Sequence, residues 1–124
     1  MSKQITPRNV LVVDDDPVIR DMMVDILNLE GYDPLVARNG QEALELLRRE
    51  ESLLVFLDLL MPVMDGNEVC LRLNADPGLR QRHVIVLMSA LDHLAHAAAL
   101  NVDATMPKPF VVEDVLAILK PYME

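Results

Sequence analysis

A chain of 124 residues, 52% of them hydrophobic and only 3% aromatic, is long enough for one hydrophobic core and too short for two. No stretch approaches the roughly 20 apolar residues of a membrane span, and the opening MSKQITPRN has no apolar signal core, so a single cytoplasmic domain over 1–124 is expected. Acidic side chains outnumber basic ones by 20 to 11, and the formal charge of −9 argues against direct nucleic-acid binding and in favour of a cation or a basic partner.

Short aliphatic runs alternate with stretches of helical periodicity, the pattern of a parallel sheet covered by helices on both faces. Val10–Asp14 (VLVVD) reads as a central strand buried on both sides and ending in acid. Asp16 is placed to cap the helix that follows, with Pro17 in its first turn, Ile19, Met22, Met23, Ile26 and Leu27 inward, and Gly31 as its stop. Leu35–Ala37 is a weak second strand. Gln41–Glu50 is a second helix, with Ala43, Leu46 and Leu47 inward. Leu53–Asp58 (LLVFLD) is a strong third strand, again ending in acid, and MPVMDG after it is a loop rich in turn formers.

A short third helix over Glu68–Asn74 should stop at the turn Asp76-Pro77-Gly78. The lone cysteine, Cys70, permits no internal disulfide, suits a reducing compartment and reads as apolar filler on that helix. His83–Met88 is a fourth buried strand leading to Ser89, and Leu91–Leu100 a fourth, alanine-rich helix. Asn101 then takes the left-handed position where glycine is the usual choice. Ala104–Met106 is a fifth strand, put at the sheet edge by Pro107, and Val112, Val115, Leu116 and Leu119 form the inner stripe of a fifth helix.

In such a sheet all strands finish on one edge, and ligands bind there, at the crevice where strand order reverses. Asp14, Asp15, Asp58, Ser89 and Lys108 should therefore converge. Carboxylates held so close repel, and a divalent cation relieves them. Oxygen donors in small number suit Mg²⁺, which shares its shell readily with phosphate, while Lys108 and Ser89 supply a positive charge and a hydroxyl for phosphoryl oxygens.

The segments LVVDDDP, LDLLMPVMDG, VLMSA and PKPF, in this order and spacing, resemble the receiver domain of two-component response regulators, including the chemotaxis receivers, over nearly the whole chain. The resemblance implies a flavodoxin-like α/β fold: a doubly wound five-stranded parallel sheet of order 2-1-3-4-5 with five helices. It implies that Asp58 is the phosphoacceptor, that Asp15 binds Mg²⁺ directly, that Asp14 acts largely through an intervening water, and that the backbone carbonyl of Leu60 completes the metal site. Ser89 and Lys108 then take the hydroxyl and lysine positions, and the Lys108-Pro109 bond is similar to one that is cis in the family. The donor it implies is a sensor histidine kinase or a histidine phosphotransfer protein. The domain would catalyse only its own phosphorylation and dephosphorylation.

Two departures stand out. Thr105 occupies a position that is often aromatic, so a switch by movement of a ring has no ring to move. Leu60 and Leu91 flank the acceptor where relatives are frequently polar, which bears on the lifetime of the phosphorylated form. Val111, Val115, Ile118 and Tyr122 form a second apolar row on the last helix, and with the fourth helix and fifth strand suggest a face for a downstream protein or for self-association; covering the sheet and the C-terminus is the alternative. His93 and His96 lie three apart on one helical turn but lack a third ligand, and read as solvent-exposed. Met22, Met23 and Met88 read as core filler. Rival readings are a Mg²⁺-dependent aspartyl-phosphate phosphohydrolase, a docking module that never meets phosphate, and a receiver portion of a larger regulator.

Overall fold

The five strands run parallel in the order β2-β1-β3-β4-β5 in a computed structural model that describes residues 5–90 and 99–123. The strands are β1 (Asn9–Val13), β2 (Leu35–Ala37), β3 (Leu53–Asp58), β4 (Val84–Ala90) and β5 (Ala104–Lys108). Between and after them lie α1 (Pro17–Leu29), α2 (Gly40–Arg49), α3 (Gly66–Asn74), α4 (Pro77–Gln81) and α5 (Val112–Met123). Among the described residues no helix is long and apolar enough to cross a membrane.

The near-continuous apolar strands follow from burial on both faces. Successive side chains point to opposite sides, so the strands divide residue by residue between two cores. Leu11, Val13, Val55, Leu57, Ile85 and Leu87 pack with Ala43, Leu44 and Leu47 of α2, Val69, Cys70 and Leu73 of α3, and Leu79 of α4. Val10, Val12, Leu54, Phe56, Val84, Val86 and Met88 pack with Met23, Ile26 and Leu27 of α1 and Val115 and Leu119 of α5. Each fully buried aliphatic side chain contributes about 2 kcal/mol.

Local chemistry sets the helix ends. Asp16 accepts the Val18 amide at 2.9 Å to open α1, and Gly31, at φ +92°, turns the chain away after it. Asn39 and Asp65 cap α2 and α3 in the same way. Asn101 has φ +57°, the left-handed conformation expected of it, and the Lys108-Pro109 bond is cis.

Several boundaries differ from the sequence reading. Asp76-Pro77-Gly78 does not simply end α3; Asp76 accepts the Leu79 amide and Pro77 starts α4. Asp65 starts α3 at Gly66, two residues before the expected Glu68. Strand β4 runs on through Ser89 and Ala90, and β5, an edge strand as expected, carries Pro107 within it and reaches Lys108. Met22 and Val112, expected inward, are exposed, and on α2 the buried apolar side chains are Ala43, Leu44 and Leu47 while Leu46 is half-buried. Of the second row expected on the last helix, Val111 precedes α5 and is exposed, Val115 is buried, and Ile118 and Tyr122 are half-buried against the core. Most of the expected fourth helix, residues 91–98 with Leu91, His93 and His96, lies outside the described residues.

The sheet edge opposite the strand ends is tied by polar groups that have no sequence signature. His83 accepts the Leu53 amide on Nδ1 at 3.0 Å, so its Nε2 carries the proton and donates to the Leu47 carbonyl at 2.8 Å. Arg80, only 7% exposed, donates to the carbonyls of His83 and Asn101 and to the Asp103 carboxylate at 3.0 Å. Replacing Arg80 by Met keeps much of the apolar stem but removes one donor from the half-buried Asp103 carboxylate, which keeps the Ile85 amide at 2.7 Å, and one from each of two carbonyls. We expect chemical denaturation to show a loss of about 3 kcal/mol; a loss below 1 kcal/mol would mean that water or other donors replace the guanidinium.

Candidate functional site

Asp14 directly follows β1, Asp58 ends β3, Ser89 is next to last in β4 and Lys108 ends β5, so the parallel sheet delivers four side chains to one edge. In the register Asp58 pairs with Met88, Ser89 with Pro107 and Ala90 with Lys108, so Ser89 lies on the strand between those that carry the acid and the lysine. Asp14, Asp58 and Ser89 are buried, at 0%, 5% and 3% exposure, whereas Asp15 is exposed. All five residues expected from the sequence are therefore at the carboxyl edge.

Lys108 binds two of the acids. Its Nζ lies 2.7 Å from Asp14 Oδ2 and 3.2 Å from Asp58 Oδ1. The other Asp14 oxygen, Oδ1, accepts the Asp16 amide at 2.9 Å. Asp14, Asp15 and Asp58 each offer a carboxylate oxygen, and these three oxygens lie within 4.8 Å of one another. One ammonium thus faces three carboxylates. Burial, with the Asp14 charge second, pushes the Asp58 carboxyl up to about 6 against the opposing pull of Lys108. Burial also pulls Lys108 down, but its hydrogen bond to Asp14 and the charges of both acids outweigh this and hold it above the usual lysine value.

The loop after Asp58 is held at three places. Leu59 donates to the Met88 carbonyl at 3.0 Å, Gly66 donates back to the Leu59 carbonyl at 2.8 Å, and Gly40 donates to the Met64 carbonyl at 2.8 Å. A Cβ on Gly66 would lie 2.5 Å from the Asp58 carbonyl oxygen, so the loop closes this tightly only with glycine there. Within the loop Met64 donates to the Pro62 carbonyl at 2.9 Å across Val63, whose φ is +71°. This three-residue γ-turn strains a β-branched residue. Leu60 follows Asp58 by two residues and is 58% exposed. Thr105 is exposed on β5.

The sequence reading missed Arg20, whose Nη1 donates to the Asp14 carbonyl at 2.8 Å. The available signal was its place in the first turn of the helix that follows the acids. Asp16 is a helix cap, as expected. Cys70 is buried, and burial pushes its thiol up to about 11, in keeping with a packing role.

Strand direction and strand order define a flavodoxin-like domain whose cluster of carboxylate oxygens could hold a hard cation. Residues 10–120 match the family of the response regulator receiver domain. The chain is 34% identical over 117 residues to response regulator MprA of Mycolicibacterium vanbaalenii, covering 92% of this chain and 49% of that protein. It is similar to the signal receiver domain of a signal transduction histidine kinase from Syntrophus aciditrophicus, at 28% identity and a TM-score of 0.80 over 93% of this chain and 89% of that one. Chemotaxis protein CheY4 of Vibrio cholerae has the same fold, at 26% identity and a TM-score of 0.76 over 92% of this chain and 97% of that one. The chain belongs to the response regulator receiver domain family, the receiver domains of two-component signalling. It spans about half the length of the curated relatives it matches.

The Asp58 shift makes stability depend on pH. A carboxyl whose folded pKa is raised binds its proton more tightly when folded, so its contribution is complete below about pH 4 and is lost as pH rises through about 6. In metal-free buffer the Asp58→Asn variant should match the wild type near pH 4 and exceed it by on the order of 2 kcal/mol above pH 7, a Tm gain of several degrees. Thermal unfolding across this range checks it, and a gap that does not change with pH would show that the carboxylate charge is not its cause.

Proposed function

We propose that Asp58 accepts a phosphoryl group from a phosphohistidine on a sensor histidine kinase or histidine phosphotransfer protein, and that the phosphorylated domain signals by binding protein. The observation that carries this is the buried Asp58 carboxylate in contact with Lys108, with Asp14 and Asp15 beside it. In the transfer an Asp58 oxygen attacks phosphorus, the P–N bond to the donor imidazole breaks, and its electron pair returns to the ring nitrogen. Catalysis consists of placing this attack in line and matching the charge of the moving phosphoryl group. Lys108 Nζ and the Ser89 hydroxyl donate to phosphoryl oxygens, with Lys108 loosening its hold on the carboxylates as it does so.

The donor set fits Mg²⁺: three carboxylates that repel, all oxygen, with Asp58 still pushed upward despite the lysine. Asp15 and Asp58, the Leu60 carbonyl and, through water, Asp14 would hold the ion, which supplies neutralising charge to phosphoryl oxygens. The cytoplasm is the matching location, where kinase and Mg²⁺ are both at hand. For the output we favour the side of β5 and α5, where Val111 and Val112 are exposed, toward a downstream protein or a second copy. With threonine at position 105, transmission through that face proceeds without an inward-moving ring. The net charge of −9 speaks for a protein partner over direct contact with nucleic acid.

A small acyl phosphate with Mg²⁺ should load close to one phosphoryl group per chain, and the Asp58→Asn variant should take up none, as read by intact mass. Asp15→Asn should weaken Mg²⁺ binding at least about tenfold in calorimetry. Loading that survives Asp58→Asn would remove the acceptor assignment, and steady turnover of many equivalents would favour a phosphohydrolase.

Leu60 bears on how long the signal lasts. Hydrolysis of an aspartyl phosphate needs a water placed opposite the leaving carboxylate, and a leucine offers that water no hydrogen bond. The Leu60→Asn variant should lose its phosphoryl group about tenfold faster, equivalent to about 1.4 kcal/mol of barrier. Decay at the wild-type rate or slower would show that position 60 does not set the lifetime.

A further inference from the structure

Asp14 and Asp15 leave β1 at the point where the backbone ladder ends. The Asp14 amide still bonds across the sheet to the Ala37 carbonyl at 3.2 Å, whereas its own carbonyl is taken by Arg20, at 2.8 Å from Nη1. Arg20 is half-buried in the first turn of α1, and its backbone amide bonds to the Asp16 carbonyl at 3.0 Å, so the helix that Asp16 caps holds the base of the guanidinium. The arginine therefore reaches back over the turn that carries the acids. Glu42 on α2 is held below the usual carboxylate range chiefly by its hydrogen bond with Arg38, and Arg20 adds a smaller pull.

A peptide unit is planar, so gripping the Asp14 carbonyl also orients the Asp15 amide and the direction in which the Asp15 side chain departs. Asp14 has both carboxylate oxygens engaged, by Lys108 and by the Asp16 amide. Asp15 is exposed. We infer that Arg20 is a positioning residue for the acid pair, holding the Asp14-Asp15 peptide so that Asp15 presents its oxygen to the divalent ion. The inference rests on the Mg²⁺ reading above.

Positioning and bare charge predict opposite signs here. A guanidinium near three carboxylates repels a divalent cation, so if Arg20 acted only through its charge, removing it would tighten Mg²⁺ binding. If it acts by holding the peptide, removing it weakens binding, because Asp15 must be ordered by the ion itself. Groups that orient a metal ligand without touching the metal are commonly worth about 10-fold to 100-fold in affinity.

The experiment is calorimetric titration of Mg²⁺ into wild type, Arg20→Met and Arg20→Lys, with Tm recorded for each, followed by loading of Asp58 from a small acyl phosphate over a range of Mg²⁺ concentrations. Arg20→Met should bind Mg²⁺ about tenfold more weakly, and Arg20→Lys, which can still donate to the carbonyl, should recover most of the loss. The loading rate of Arg20→Met should return to that of wild type at saturating Mg²⁺. Mg²⁺ affinity that is unchanged or tighter in Arg20→Met, even with a lowered Tm, overturns the inference, as does a loading rate that stays low at saturation. Wild type that binds no Mg²⁺ overturns the metal reading and this inference with it, whereas wild-type binding shared equally by both variants defeats the inference alone.

Discussion

Three carboxylates at one end of a parallel sheet repel one another, and a single ammonium does not balance them. Asp14, Asp15 and Asp58 are brought together by strand direction, and Lys108 is supplied by the neighbouring edge of the same sheet. Such a cluster costs free energy in the folded state: burial, and after it the Asp14 charge, pushes the Asp58 carboxyl up. That imbalance is what a further cation would relieve.

The rest of the fold supplies what this arrangement demands. Strands buried on both faces and helices packed against each core keep the sheet edge rigid, so that charges do not relax apart. The loops at the edge are pinned one by one: Gly66 closes against the Asp58 backbone, Gly40 bonds to Met64, and Arg20 grips the Asp14 carbonyl. Val63 sits in a strained γ-turn inside this pinned loop, and the surrounding hydrogen bonds hold it there. Polar ties at the opposite edge, Arg80 with Asp103 and His83 with two backbone groups, fix strand register from below.

Family membership and geometry meet at different levels. The family match covers residues 10–120, so it speaks for fold and general chemistry together. What distinguishes this chain lies in particular side chains: a threonine at position 105, a leucine at position 60, and an arginine bonded to the backbone of the acid pair. In the proposed function each would bear on a separate link, namely transmission, persistence and metal binding.

Much of this was legible in the residues alone. Two-sided burial writes itself as unbroken apolar runs, so the five strands, and with them the acids and the lysine at their ends, could be placed from hydropathy and turn chemistry. The Asp16 cap and the left-handed backbone at Asn101 follow from rules that act over a few residues. Where the sequence misled, it was at positions whose local pattern admits two outcomes: Asp76-Pro77-Gly78 reads equally as a turn or as a capped helical start, and Met22 and Val112 fit an apolar stripe yet lie at its margin. Only the tertiary structure could decide the contacts between separate elements. Lys108 meets Asp14 across 94 residues, and although the family resemblance implied a shared site, which carboxylate oxygens the ammonium binds depends on strand register. Arg20 and Arg80 look like ordinary helix arginines, because a long side chain bonding to a backbone carbonyl leaves no periodicity behind; its partner is fixed by where the chain passes in space.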